Sequence, residues 1–331
     1  LGLAGMPAQG GEPSPSSEGW LQRWGDETPT AWWRAHPTPA EWVEERHAIH
    51  EALRHLQAKW GLDMVESYPD MSAWIRHLHW VSLFPDNWPE HSFFEDPKHQ
   101  QAYRTLSLEP QLPRLLLGAL APEDDAPKAL EILCSLYHLE PDRVRAYPDL
   151  AVALAVVYDQ APPAGWPHPY VTGDDARPET DDPVHQFRHR VAANERGWMG
   201  VDPRTLSVRE LTFVVDSRLD AGELRFAQAL GPEAVQRLPE LYSRVAYDQG
   251  RILNAEYVWP HGRYRLPEIA RRGGICADRA YFASRIAKAH GIPSILFLGQ
   301  GRNGMHAWVG FREGPGRWNN KVARYQGDSL P

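Results

Sequence analysis

A cysteine preceded by two glycines is the residue of this chain best suited to nucleophilic chemistry. The segment 273–278 reads Gly-Gly-Ile-Cys-Ala-Asp and opens a predicted helix that runs from Ile275 to His290. The N-terminus of a helix favours the thiolate form of a cysteine through its dipole and its free N–H groups. The two glycines permit a tight turn and close approach of a substrate backbone. The pattern therefore predicts a reactive thiol at Cys276.

A histidine on a predicted strand is the matching candidate for the base. Residues 305–312, Met-His-Ala-Trp-Val-Gly-Phe-Arg, alternate in the way typical of a strand and place His306 near its start. A thiol nucleophile needs a base within hydrogen-bond reach. A strand lying beside the N-terminus of the helix would bring His306 there. We therefore expect a Cys276–His306 pair.

These motifs resemble the core of the transglutaminase-like superfamily. Gly-Gly-Ile-Cys-Ala-Asp at 273–278, Gly-Ile-Pro at 291–293 and Gly-Met-His-Ala-Trp-Val at 304–309 occur in the order of that family. The resemblance covers about residues 245–326 and implies a papain-like α+β core, in which a helix packs on a small antiparallel sheet. It also implies cysteine-dependent acyl transfer on a protein or peptide amide through a thioester, with no metal or other cofactor.

The remaining site residues depend on the same resemblance. The family usually has an Asp on the strand after the histidine to orient the imidazole, and this chain has none there. We expect Asn320 to take that role, with Asn319 and Asp328 as alternatives. The backbone N–H of Cys276 is the expected first donor to the tetrahedral oxyanion. Trp259 is the candidate for the second donor, and an aromatic core residue is its alternative interpretation.

The fate of the thioester is left open by these residues. Attack by water would make the protein a peptidase or amidase, whereas attack by an amine would make it a cross-linking transferase. We favour hydrolysis, since no amine-acceptor site is identified in the sequence. The missing Asp supports an alternative hypothesis, a catalytically inactive transglutaminase-like interaction module that binds partners through the helices of residues 40–160.

The pattern of residue types predicts an α+β protein with a mainly helical N-terminal region. Residues 1–19 form a flexible lead-in rich in Gly, Pro and Ser, and residues 20–160 form the helical region. A Pro-rich connection at 161–183 leads to the transglutaminase-like domain of residues 184–331. Capping boxes begin at Thr38 and Ser207. Helices are expected at 38–60, 71–81, 112–120, 127–138, 143–159, 184–196, 208–217, 221–230 and 239–249, with strands at 293–298, 305–312 and 318–325.

Composition argues against several classes of partner. The formal net charge of −8 disfavours nucleic acid, and no apolar run approaches the roughly 20 residues that span a bilayer. Of the two cysteines, Cys134 lies among apolar residues at helical spacing and is expected to be buried and inert. We expect a protein partner to be possible for the helical region of residues 20–160. The compartment is not fixed by the sequence, although the start at Leu1 rather than Met favours an extracytoplasmic location.

Two other motifs are candidate sites of a different kind. His185 and His189 have the i, i+4 spacing of helical metal ligands, but the zincin glutamate and a third ligand are missing. We therefore expect solvated helix histidines there and no metal. Gly299-Gln-Gly at 299–301 lacks the spacing of a phosphate loop and is expected to form a wall of the cleft near His306.

Overall fold

The computed structural model describes residues 92–109, 111–173, 182–231, 233–301 and 304–325, with scattered positions between 41 and 83. The chain divides into two compact units, Leu1–Val144 and Arg145–Pro331. This division falls before the Pro-rich connection at 161–183 that the sequence suggested as a boundary. The lead-in at 1–19 lies outside the described residues, as do most positions of the helices expected at 38–60 and 71–81.

The described part of the first unit is helical. Asp96 and Asp125 cap two of its helices by accepting hydrogen bonds from the backbone N–H groups of Lys98 and Lys128. Cys134 is fully buried in the second of these helices, as predicted. Burial raises the pKa of its thiol well above the usual range. The helices are α1 (Pro97–Leu108), α2 (Leu112–Ala119), α3 (Ala126–Leu139) and α4 (Pro141–Ala146), the last of which crosses the division between the units.

The helices of the second unit follow the sequence pattern with two corrections. The capping box at Ser207 is confirmed, since Ser207 and Glu210 exchange their side-chain and backbone hydrogen bonds. The single helix predicted at 143–159 is wrong, because Pro148 has no N–H group and begins a new helix. The helix predicted at 239–249 ends at Arg244, and a second short helix begins at Gln249. The helices are α5 (Pro148–Tyr158), α6 (Pro183–Glu195), α7 (Val208–Val215), α8 (Ala221–Ala229), α9 (Glu233–Gln236), α10 (Leu238–Arg244), α11 (Gln249–Leu253), α12 (Leu266–Arg272) and α13 (Cys276–Ala289).

A three-stranded antiparallel sheet follows α13. Its strands β1 (Ser294–Gly301), β2 (Gly304–Gly314) and β3 (Arg317–Val322) pair in the order β1-β2-β3. The helix α13 packs against β1 and β2. Small buried residues make this close approach feasible, since Ala277, Ala280, Ala283 and Ala287 are all fully buried.

The described residues thus have the predicted α+β architecture, with helices preceding one small sheet. The core of the second unit surrounds α13, which is buried along almost its whole length. None of the helices that the structure describes has the length and apolar character needed to cross a bilayer.

Candidate active site

The turn before α13 presents Cys276 at the first position of the helix. Gly273 has a φ of 84°, a conformation that favours glycine, and a Cβ atom there would lie 2.8 Å from the carbonyl oxygen of Ala246. A Cβ atom on Gly274 would lie 2.4 Å from the Cβ of Asp278. Both glycines are therefore required by the backbone that presents the thiol, which is partly buried.

The thiol of Cys276 has a raised pKa. Burial is the largest cause, and hydrogen bonds from the backbone N–H groups of Ala307, Ala277 and Cys276 itself act against it. The expectation that the helix N-terminus would lower this pKa is wrong in net direction, because desolvation of the thiolate outweighs the helix N–H groups. The resting thiol is neutral near pH 7, and its deprotonation needs a base.

The thiol of Cys276 interacts with the backbone of Ala307, which places it beside β2 at the residue that follows His306 in the chain. The Nε2 atom of His306 lies 2.7 Å from the carbonyl oxygen of Ala323. Because a carbonyl oxygen only accepts hydrogen bonds, Nε2 carries the proton and Nδ1 of the neutral ring carries the lone pair. The ring of Tyr325 stacks on the imidazole with centroids 4.5 Å apart. The imidazole is therefore fixed as the tautomer that accepts a proton at Nδ1.

The two asparagines proposed from the sequence lie elsewhere on β3. Asn320 is exposed, and its Cα lies beside Gly310, with 3.5 Å between it and a Cβ built on that glycine. Gly310 is separated from His306 along β2 by about 13 Å, at roughly 3.3 Å per residue. Asn319 donates from Nδ2 to Glu313 at 3.0 Å. Neither asparagine is brought to the imidazole.

The third alternative, Asp328, lies outside the described residues. The group that holds Nε2 is therefore a backbone carbonyl, that of Ala323. The amino-acid sequence does not indicate this partner, because every residue has a backbone carbonyl and none is distinguished by its type. The positive φ of Ala323, 63°, marks the turn that directs the chain back over the imidazole.

Trp259 is buried, with 5% of its surface exposed. Its backbone N–H donates to the carbonyl oxygen of Tyr170 at 2.8 Å. Its indole Nε1–H is enclosed and has no hydrogen-bond partner among the described residues. A buried donor without a partner costs stability, and a ligand oxygen that reached this N–H would remove that cost. The interpretation of Trp259 as an aromatic core residue is confirmed, and its role as second oxyanion donor stays a prediction.

Three tyrosines from separate segments lie near the thiol. Burial raises the pKa of Tyr170, Tyr242 and Tyr247, and a negative charge on Cys276 raises each of them further. The hydroxyl of Tyr242 also donates to the carbonyl oxygen of Ala307 at 3.2 Å. These phenols stay neutral near pH 7 and line the site with aromatic surface. These tyrosines come from parts of the chain that share no sequence pattern, so no motif marks them as site residues.

A buried polar network lies beneath the first turn of α13. The carboxylate of Asp278 accepts hydrogen bonds from the N–H of Ile275 at 2.9 Å, from Arg251 at 2.7 Å and from the hydroxyl of Tyr264 at 2.9 Å. His168 lies behind Tyr264, with 2.7 Å between its Nε2 and the hydroxyl. Burial lowers the pKa of His168 to about 3, so its ring is neutral. The only sequence signal for this network was an acidic residue two positions after the cysteine.

The competing motifs hold no metal cluster in the described part of the chain. The rings of His185 and His189 lie 6.2 Å apart, and Nε2 of His189 lies 2.8 Å from the amide nitrogen of Gln228. No group of three or more His, Cys, Asp or Glu among the described residues could hold a metal ion. Both histidines are half-buried, and burial lowers the pKa of His189 to about 4. Gly299 pairs with His306 across the sheet, so the 299–301 segment lies beside the histidine, and its role as a cleft wall stays a prediction.

Comparison with known proteins provides no further assignment. No family model matches the chain, and neither the curated proteins nor the solved structures contain a match to it. Function therefore has to be argued from the geometry above.

Proposed function

We propose that this protein is a cysteine-dependent acyl-transfer enzyme of the transglutaminase-like, papain-like type, which acts on protein or peptide amides and releases the acyl group mainly to water. The observation that carries the proposal is the hydrogen bond from His306 to Ala323, because it fixes the imidazole tautomer beside the thiol contact with Ala307. The order of motifs around Cys276 and His306 supports the same assignment.

The first half of the proposed reaction forms a thioester. Nδ1 of His306 accepts the thiol proton of Cys276 as sulfur attacks the carbonyl carbon of the amide. The carbonyl oxygen becomes an oxyanion, which accepts hydrogen bonds from the backbone N–H of Cys276 and from the indole N–H of Trp259. Collapse of the tetrahedral species breaks the C–N bond, and His306 returns the proton to the departing amine.

The second half releases the acyl group. A water molecule gives a proton to Nδ1 of His306 and attacks the thioester carbon, and the acid leaves as the proton returns to the sulfur of Cys276. An amine attacking in place of water would yield a transferred amide. Neither route requires a metal. Asn320 has no part in this scheme, since the carbonyl of Ala323 holds the imidazole.

One observation favours the alternative of an inactive interaction module. Burial leaves the pKa of Cys276 above its usual value, as in a thiol that has no catalytic use. A thiol that is protonated at rest can still react when a base takes its proton as sulfur attacks. The two hypotheses therefore differ in one measurable property, the ability of Cys276 to become acylated.

Acylation by p-nitrophenyl acetate tests the proposal. We expect an acetyl group on Cys276, identified by mass spectrometry after rapid quenching, and none on Cys134, which is fully buried. His306→Ala should abolish the adduct while retaining the fold by circular dichroism. Adding a small primary amine then shows whether the thioester passes to water or to nitrogen. An unmodified Cys276, or equal acylation in His306→Ala, would support the inactive module.

A further inference from the structure

The ion pair between Arg251 and Asp278 is buried beside the nucleophile. Their side chains are 4% and 0% exposed, and Nη1 of the arginine lies 2.7 Å from Oδ2 of the carboxylate. Removing either partner of a buried pair leaves an uncompensated charge, which costs several kcal/mol. Asp278 lies two residues after Cys276 in the first turn of α13. This pair is therefore located where it affects the reacting groups.

Arg251 uses its remaining donors on a single backbone segment. Nε donates to the carbonyl oxygen of Glu256 at 3.0 Å, and Nη2 donates to the carbonyl oxygen of Tyr257 at 2.6 Å. A planar guanidinium that bonds along several edges fixes both the position and the orientation of what it holds. Lysine cannot reproduce this, since its ammonium is a point charge. The segment that Arg251 fixes leads directly into Trp259.

Asp278 uses its remaining capacity on the turn that carries the nucleophile. Its Oδ2 also accepts the N–H of Ile275, the residue immediately before Cys276. Its Oδ1 accepts the hydroxyl of Tyr264, which braces the carboxylate from the other side. The backbone of Cys276 and the backbone leading to Trp259 are thus tied to the same carboxylate–guanidinium pair.

We infer that Arg251 and Asp278 are positioning residues that hold the two oxyanion donors, the backbone N–H of Cys276 and the indole N–H of Trp259, at a fixed separation. This inference rests on the proposed function. Its physical support is that the indole N–H is buried and unpartnered among the described residues, and that the guanidinium carbon lies 5.7 Å from the centre of the indole ring. An N–H without a hydrogen-bond partner has no bond of its own to fix its position. Surrounding residues must therefore hold it in place until an oxyanion forms.

Two reactions of the same thiol separate positioning of the oxyanion donors from general structural support. Iodoacetamide is attacked at a saturated carbon and loses iodide, so its reaction with Cys276 forms no oxyanion. p-Nitrophenyl acetate is attacked at a carbonyl carbon and passes through one. Arg251→Lys should slow acylation by about 10- to 100-fold, somewhat less than the loss of an oxyanion donor outright, while alkylation changes by less than about threefold. Trp259→Phe should show the same selective loss.

The matched control is Arg271→Lys. Arg271 forms an exposed ion pair with Glu268 on α12, so both reactions should keep their rates. Because Arg251 acts in part through Trp259, the double variant Arg251→Lys/Trp259→Phe should lose less acylation rate than the product of the two single losses. Asp278→Asn is the second test variant, used if Arg251→Lys does not fold, since an asparagine oxygen can still accept the N–H of Ile275.

The outcomes are distinct for the inference and for the proposed function. Selective loss of acylation in Arg251→Lys or Asp278→Asn supports the inference. Equal slowing of both reactions assigns the pair a purely structural role and overturns it, as does unchanged acylation. A wild-type protein that reacts with neither reagent at Cys276 would instead contradict the proposed function.

Discussion

The imidazole of His306 is held through Nε2 by the carbonyl oxygen of Ala323, 2.7 Å away. Catalytic histidines of this chemistry are usually oriented by a carboxylate or amide side chain. A backbone carbonyl fixes the same tautomer without adding charge or depending on a rotamer.

Replacing the asparagine expected from the sequence should have little effect. Asn320 is exposed beside Gly310, about 13 Å along the sheet from the base at roughly 3.3 Å per residue. We expect Asn320→Ala to keep the acylation rate of Cys276 within about twofold of wild type, as for an ordinary surface substitution. Single-turnover acylation with p-nitrophenyl acetate measures this. A tenfold or greater fall in the acylation rate would show that Asn320 takes part in the reaction after all.

The stacked ring of Tyr325 should contribute to holding His306. An aromatic pair of this kind is worth about 0.5–1.5 kcal/mol, which corresponds to roughly a two- to tenfold effect on the acylation rate. Tyr325→Ala should therefore slow acylation within that range, whereas Tyr325→Phe should match wild type because the ring remains. Stopped-flow measurement of p-nitrophenol release compares the three proteins. If Phe were as slow as Ala, the hydroxyl rather than the ring would be the important group.

The glycine before Ile275 should tolerate no side chain. A Cβ on Gly274 would lie 2.4 Å from Cβ of Asp278, and neither backbone can move without breaking the turn. We expect Gly274→Ala to lower the free energy of unfolding by about 1–3 kcal/mol and to slow alkylation of Cys276. Gly314→Ala is the control, since the nearest atom to its added Cβ is 3.8 Å away on Arg317. Urea unfolding of the two variants gives the comparison, and equal stabilities would contradict the crowding argument.

A buried glutamate should make the stability of the protein depend on pH. Burial raises the pKa of Glu223 from 4.5 to about 7, although its hydrogen bond from the N–H of Leu266 acts in the opposite direction. Since the folded pKa lies above the unfolded one, the stabilisation is fully present below about pH 4.5 and is lost as pH rises through about 7.

Glu223→Gln removes the cost of burying the ionised carboxylate at higher pH, and its side-chain oxygen can still accept the N–H of Leu266. Relative to wild type, the variant should gain up to about 3 kcal/mol of unfolding free energy between about pH 4.5 and pH 8. Urea unfolding across this range measures it, with Glu233→Gln on α9, which is exposed, as the control. A difference between Glu223→Gln and wild type that does not change with pH would show that Glu223 does not titrate as described.

Local signals in the sequence were sufficient to predict the main elements of the site. The glycine pair and the apolar spacing predict α13 and its start, and the alternation of 305–312 predicts β2. The position of the orienting group was not predictable in this way. The pairing register of β2 and β3 places Asn320 beside Gly310 rather than His306, and strand register leaves no mark in residue types.

The buried pair Arg251–Asp278 was missed for a different reason. Its partners come from separate helices, α11 and α13, and become adjacent only when both pack into the core. Each residue alone is consistent with an ordinary exposed helix charge, as most Arg and Asp residues are. Similarly, the raised pKa of Cys276 arises from burial by neighbours that no local pattern indicates.

The pH dependence of Cys276 alkylation by iodoacetamide, followed by mass spectrometry in wild type and in His306→Ala, tests the central claim most directly. Burial opposes ionisation of the Cys276 thiol, so its reactivity should depend on His306 as the base. We predict that the midpoint of the rate profile lies at least about one pH unit lower in wild type than in the variant, since a base that accepts the thiol proton as sulfur attacks is worth at least about tenfold in rate. Buried Cys134 should stay unmodified in both proteins. Identical profiles would mean that His306 does not activate the thiol and would contradict the proposed Cys276–His306 pair.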